Sequence, residues 1–253
     1  MNDLKKYKDL YGLIGYPLSH SFSKKYFSEK FTRENIAYSY YELFPIQSID
    51  ELPALIVRHP NLRGLNVTIP YKQQVLPFMD QLDEGAAAVG AVNTIKVANG
   101  RLLGFNSDVY GFEQSLLKAI QKLGYQPDSA LILGTGGAAR AAAFVLDRQA
   151  ISYRFVSRNK GDNTLSYPEV DQAIMQENHL IINTTPLGMS PNVDTFPDIP
   201  YQYAGPQHLF FDLVYNPAMT AFLKAAATRG SLVQNGLDML YGQAEKSWQF
   251  WQK

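Results

Sequence analysis

The chain has 253 residues, 23 basic and 23 acidic side chains and no cysteine. That length permits one large domain or two modest ones with ample core, and balanced charge without a basic run argues against nucleic acid as a partner. Without thiols there are no disulfides, thiolate nucleophiles or thiolate metal sites. His20, His59, His179 and His208 are scattered with no helical pair, so no metal is expected. No signal-peptide pattern or bilayer-length apolar run is recognised, and the expectation is a soluble cytoplasmic protein with no membrane partner.

Leu10 to Ile14 predicts a first buried strand, closed by Gly15-Tyr16-Pro17. Ser19-His20-Ser21-Phe22-Ser23 leads into a helix from about Lys24 to Glu34. Ser23 could cap that helix, but three serines spaced two apart also suit a polyhydroxylated or carboxylated ligand. Tyr38–Leu43 and Leu62–Val67 read as strands, and Ile49–Val57 as a helix. The third strand runs into Asn66-Val67-Thr68-Ile69-Pro70-Tyr71-Lys72, with Pro70 and Tyr71 opening a helix to about Met79. Ligands of α/β sheets bind beyond the carboxyl ends of strands, where Asn66, Thr68 and Lys72 fall. Taken alone, Lys72 reads as a solvated helix lysine.

Ala86–Ala91 is small and packable, and Val92–Ile95 predicts the next strand. Asn93 binds a ligand or ties down a loop, because a buried carboxamide must be paired. Asn99-Gly100 has the composition of a two-residue hairpin turn. Gly104 to Asp108 precede a helix to about Leu123, with Leu116, Leu117 and Ile120 on its inner face. Asp108 is a candidate N-cap, or turns its carboxylate to a substrate. Gly124 to Asp128 breaks the pattern and leads into a nucleotide-binding region.

Ala130–Leu133 reads as a buried strand, Gly134-Thr135-Gly136-Gly137 as a turn, and Ala138 to Leu146 as a helix. This is a dinucleotide-binding opening. Glycines let the backbone approach a pyrophosphate, and the free amides at a helix start favour a negative group. The following strand, Ile151–Val156, ends in Ser157-Arg158-Asn159-Lys160, with no acid until Asp162. An acid there would suit the unphosphorylated cofactor; the basic pair suits a 2′-phosphate, and NADP is expected.

Asn163–Tyr167 reads as polar and turn-like. Leu180–Ile182 and Leu209–Val214 are further strands, the former ending in Asn183-Thr184-Thr185-Pro186. Met219–Ala227 is a helix, and Leu232-Val233 a short edge strand. Leu237, Leu240, Tyr241, Ala244, Trp248 and Trp251 recur at helical spacing. That aromatic stripe is expected to return to the first domain, with the Gln243 amide near the cleft.

With these stretches in order, the chain resembles the shikimate dehydrogenase family over essentially its full length. The markers are Gly15 through Ser23, Asn66 through Lys72, Gly90 through Thr94, Gly104 through Asp108, Gly134 through Ala139, Asn183 through Met189, Asp212 through Tyr215 and Asn235 through Gln243. The resemblance implies a two-lobed α/β protein. Residues 1–108 form a substrate-binding domain completed by helix 237–253, and residues 109–236 a Rossmann-type NADP-binding domain. It implies reversible reduction of 3-dehydroshikimate to shikimate with NADP(H), on the route to chorismate and aromatic amino acids.

Carried over by position, Ser21 and Ser23 hold the substrate carboxylate, and Lys72 and Asp108 are the catalytic pair. Lys72 is the proton donor to a developing alkoxide, and Asp108 orients it. Thr68, Asn93, Tyr215 and Gln243 contact the ring. Gly134, Thr135, Gly136, Gly137, Ala138 and Ala139 cradle pyrophosphate; Ser157, Arg158, Asn159 and Lys160 bind the adenosine phosphate. Thr184, Leu213 and Gly236 line the nicotinamide side. His20 is a rival proton donor. The chain departs from the pattern at Lys24, Ser107, Val109, Thr184 and Thr185. Its phosphate strip also keeps one arginine, which implies a weaker NADP preference. Alternative readings are a quinate/shikimate dehydrogenase with relaxed cofactor use, and a catalytically silent NADP-binding regulatory protein. Monomer and homodimer are not distinguished.

Overall fold

Alternating strands and helices build two separate six-stranded sheets. The computed structural model describes residues 4–18 and 21–253; His20 and Ser19 lie outside them. The chain divides into two units, Met1–Ser107 with Ala244–Lys253, and Asp108–Gln243.

The first unit contains β1 (Asp9–Ile14), α1 (Phe22–Arg33), β2 (Ser39–Phe44), α2 (Leu52–Arg58), β3 (Leu62–Val67), α3 (Tyr71–Gln74), β4 (Gln81–Leu82), α4 (Glu84–Val89), β5 (Thr94–Ala98) and β6 (Arg101–Phe105). Its sheet runs β2-β1-β3-β5-β6-β4. The first three strands are parallel, and the direction reverses at β5. Asn99 and Gly100 close the β5–β6 hairpin with φ of 52° and 75°, the conformation a primed turn requires. The helix expected from Tyr71 to Met79 is cut short. Pro77 sits inside a separate 3₁₀ turn, Leu76–Phe78, because its ring supplies no N–H to an α-helical ladder.

The second unit contains α5 (Ser107–Leu123, starting one residue earlier), β7 (Ser129–Leu133), α6 (Gly137–Arg148), β8 (Ser152–Ser157), β9 (Thr164–Ser166), α7 (Gln172–Glu177), β10 (Leu180–Asn183), β11 (Leu209–Asp212), α8 (Ala221–Ala227), β12 (Leu232–Gln234) and the start of α9 (Leu237–Gln252). Its strands are all parallel in the order β9-β8-β7-β10-β11-β12. That is the doubly wound Rossmann order, reversing between β7 and β10. Strands covered on both faces must be apolar throughout, and Ala130–Leu133, Leu180–Ile182 and Leu209–Phe211 are fully buried. β9 stands where a turn was expected. Leu165 packs on the core from this edge strand, and its polar neighbours Thr164 and Ser166 hide the signal.

The remainder of α9 belongs to the first unit. Its buried face carries Ala244, Ser247, Phe250 and Trp251, whereas Leu237 and Tyr241 of the expected stripe are 38% and 46% exposed. Lys30 of α1 is buried and bonds both oxygens of Glu245, at 3.0 and 2.9 Å. The Tyr26 phenol donates to the same carboxylate. Trp251 stacks on Tyr11 at 4.9 Å between ring centroids and donates its indole N–H to the Ile95 carbonyl at 3.0 Å. A Cβ at position 64 would lie 2.2 Å from that indole, so only glycine admits the ring. Trp251→Ala is expected to cost about 3–5 kcal/mol through the cavity it leaves. Urea denaturation checks this, and a loss below about 1 kcal/mol would contradict the packing role.

Candidate functional site

In the second unit the reversal between β7 and β10 opens a crevice at the strands' carboxyl ends, as the doubly wound topology dictates. A cavity of about 480 Å³ is lined there by Gly134, Thr135, Gly136, Ser157, Arg158, Asn159, Tyr167, Thr184, Thr185, Pro186 and Leu187. Gly134 has φ of 111°, and a Cβ on it would meet the Thr184 hydroxyl at 2.7 Å, so the turn requires glycine. At Gly136 a Cβ would project into open space. α6 starts after Gly136 with no side-chain cap, which leaves the first helical amides for a ligand. Turn, helix start and Arg158 together suit a phosphorylated dinucleotide.

Not every expected cofactor residue joins this lining. Gly137 and Ala138 are exposed in the first turn of α6, and Ala139 is fully buried there. Leu213 and Gly236 lie outside the lining and pack on each other; a Cβ on Gly236 would meet the Leu213 carbonyl at 2.1 Å. Lys160 also lies outside it and is paired with Glu169, whose other oxygen accepts from the Ser166 amide and hydroxyl. Those contacts hold the Glu169 carboxyl down at about 2, chiefly through Lys160. Sequence reasoning missed Tyr167, because it follows the edge strand read as a turn.

The carboxyl ends of β10 and β11 are tied by one buried carboxylate. Asp212 accepts from Asn183 Nδ2 at 3.0 Å, Val214 N at 3.0 Å and the Thr220 hydroxyl at 2.6 Å. The Thr184 hydroxyl donates to the Leu133 carbonyl at 2.7 Å, joining β10 to β7.

In the first unit, Ser21 rather than Ser23 caps α1, its Oγ accepting from Lys24 N at 3.3 Å. Two more residues of chain place Ser23 inside the first turn, where it bonds the Tyr41 phenol. Both serines are half-buried, as are Thr68 just beyond β3 and Lys72 in α3. Asn66 is absorbed by the scaffold: its Oδ1 accepts from Tyr41 at 2.8 Å and its Nδ2 donates to the Asn93 carbonyl at 3.3 Å. Asn93 precedes β5 and is 4% exposed. Its Oδ1 accepts from the Ser107 amide at 2.7 Å, the Ser107 hydroxyl at 3.1 Å and the Thr94 hydroxyl at 3.0 Å.

Asn93 thereby caps the start of α5 from outside the helix. Asp108 therefore lies within the first turn and is not its N-cap. Asp108 and Gln243 are half-buried and Tyr215 is 42% exposed, all within the second unit. No group of three or more potential metal-binding side chains occurs among the described residues. None of their helices is long and apolar enough to cross a membrane.

Residues 13–95 match the model of the shikimate dehydrogenase substrate binding domain. A shikimate dehydrogenase (NADP(+)) of Desulforamulus reducens is 35% identical, over 95% of this chain and 88% of its own. The chain belongs to the shikimate dehydrogenase family. Among solved structures, the shikimate dehydrogenase of Aquifex aeolicus has a TM-score of 0.83 at 29% identity, covering 96% of this chain and 92% of its own. That of Thermus thermophilus, in complex with NADP(H) and shikimate, has a TM-score of 0.79 at 30% identity, covering 96% and 93%. In this family member the Rossmann order and the phosphate-binding turn agree with that placement.

Asp212 yields a pH prediction. Burial raises its carboxyl to about 6 from 3.8, and its three hydrogen bonds only partly offset that. The native state therefore keeps a proton that the unfolded chain has already lost, so this contribution to stability declines as pH rises from about 4 to about 6. Thermal melts of Asp212→Asn are expected to show a flatter pH dependence across that window than the parent. An identical slope would refute the assignment.

Proposed function

We propose that this protein is an NADP-dependent oxidoreductase that interconverts 3-dehydroshikimate and shikimate. The observation that carries the reading is the Arg158-lined cavity at the open start of α6, in a chain related over nearly its full length to shikimate dehydrogenases (NADP(+)). When bound, the nicotinamide supplies or accepts the hydride. The residues that would hold the cofactor are Gly134, Thr135, Gly136 and the first amides of α6 at the pyrophosphate, with Arg158 and its neighbours Ser157 and Asn159 at the 2′-phosphate. Lys160 reaches that phosphate only by leaving Glu169. Arg158 makes no ion pair among the described residues, and its charge is available for a phosphate.

On the substrate side, the Ser21 hydroxyl can still donate while its oxygen accepts from Lys24 N, which suits a carboxylate. Ser23 joins it by turning from Tyr41. Asn93 and Thr68 contact ring oxygens; Tyr215 and Gln243 complete the orientation. Lys72 delivers the proton to the developing alkoxide, and its positive charge stabilises that oxygen as it forms. Asp108 accepts from a substrate hydroxyl. The cytoplasm is the compartment this reading assigns.

The test is oxidation of shikimate with NADP⁺, followed by the absorbance of NADPH, with quinate and NAD⁺ in parallel. Tight NADP⁺ binding without turnover of shikimate would favour a regulatory protein instead. Lys72→Ala is expected to lower kcat by roughly 100- to 10,000-fold with the fold intact by circular dichroism. Near-parental turnover would reject the role. Arg158→Ala is expected to raise the KM for NADP⁺ by about 10- to 100-fold, since a hydrogen bond to a charged group is worth about 1.5–3 kcal/mol. The KM for NAD⁺ should barely move; equal losses for both cofactors would place Arg158 elsewhere on the ligand.

A further inference from the structure

Behind Asn93 the first unit holds a cluster of buried hydroxyls. Thr94, Ser107 and Ser247 are 0%, 0% and 1% exposed. Their oxygens form a triangle: Thr94 to Ser247 2.8 Å, Ser107 to Ser247 3.1 Å and Thr94 to Ser107 3.2 Å. Asn66 Nδ2 donates into it, to Ser247 at 3.0 Å and Thr94 at 3.3 Å, and Tyr41 donates to Asn66 Oδ1 behind that.

Two backbone groups set the direction of this chain. The Asn93 carbonyl can only accept, so the Asn66 atom facing it is the amide nitrogen, and Tyr41 must donate to the oxygen. The Ser107 backbone N–H can only donate, so the Asn93 atom facing it is Oδ1. The Thr94 and Ser107 hydroxyls both donate to Asn93 Oδ1, and the Ser247 hydroxyl stands behind them, accepting from Asn66 Nδ2 and within hydrogen-bond distance of both. Asn93 Nδ2, by contrast, has no partner among the described residues.

We propose that Ser247 and Thr94 are positioning residues for substrate: they lock the Asn93 carboxamide in one orientation, so that it offers a ligand hydrogen-bond donors and no acceptor. The group recognised there is an oxygen that accepts, either a carbonyl or the lone pair of a ring hydroxyl. Ser247 carries this role from the last helix of the chain, on a face whose other buried members are apolar or aromatic. The proposal rests on Asn93 being a substrate contact.

The test uses the full-length protein and the variants Ser247→Ala and Thr94→Val, each of which removes one hydroxyl. The Asn93 side-chain NH₂ signal in a ¹⁵N–¹H spectrum is assigned by its disappearance in Asn93→Asp. In either relay variant it is expected to shift and broaden as the carboxamide gains a second orientation. The KM for shikimate should rise about 5- to 10-fold, while the KM for NADP⁺ stays within twofold of the parent. A generally loosened fold would move both constants together and would count against positioning. An unmoved Asn93 signal in both variants would overturn the proposal. If the parent does not oxidise shikimate, the functional reading fails, and the NH₂ signal still decides whether the relay holds Asn93. Should Ser247→Ala not fold, Thr94→Val decides the same question with a near-isosteric side chain.

Discussion

The insertion of Trp251 against Gly64 is the contact on which the first unit turns. A mixed sheet with a parallel half, β2-β1-β3, must be covered there on both faces, and the 1–107 segment leaves part of one face for residues 244–253 to fill. The indole does so with shape and with a hydrogen bond to the Ile95 carbonyl, which fixes its depth as well as its position. From that seat the rest of α9 follows in register: Ser247, four residues earlier, meets Thr94 beside Ile95, and Glu245 reaches Lys30. Fatty packing and polar alignment are therefore two aspects of one docking event.

The two units handle polar groups at strand ends in the same way. Where β10 and β11 stop, Asp212 gathers donors from Asn183, Val214 and Thr220. Before β5, Asn93 gathers donors from Ser107 and Thr94. In each case a buried acceptor is saturated by several donors, so the chain at a strand end is held without being buried in apolar contacts. The strip 157–160 is less tightly organised. Lys160 is engaged by Glu169, and Arg158 stands alone as the cation of the cavity wall.

Much of this was legible in the residues. Strand β3 falls at Leu62–Val67 as expected, since an apolar run between a polar turn and a proline-bearing loop has few alternatives. The strand–glycine–helix unit at Ser129–Arg148 carried its own punctuation. Other features left no local mark. β9 has one apolar residue between two polar ones, and it exists because β8 offers it an edge. The helix at Tyr71 looked longer because periodicity does not register the missing N–H of Pro77. Ser247 was invisible to an apolar stripe, since a serine on a buried face signals nothing until its hydroxyl partners from β5 and α5 are known. Ser21 and Ser23 exchanged capping roles because helix starts are uncertain by a residue or two from sequence alone.

The first unit is written in two instalments, with the whole of the second unit between them. A ribosome releasing this chain delivers a sheet whose cover is still missing for well over a hundred residues. The Rossmann unit, one continuous segment of sequence, can close as it emerges. Completion of the amino-terminal unit thus waits for residues 244–253, and a chain that lacks them leaves uncovered the first sheet it made.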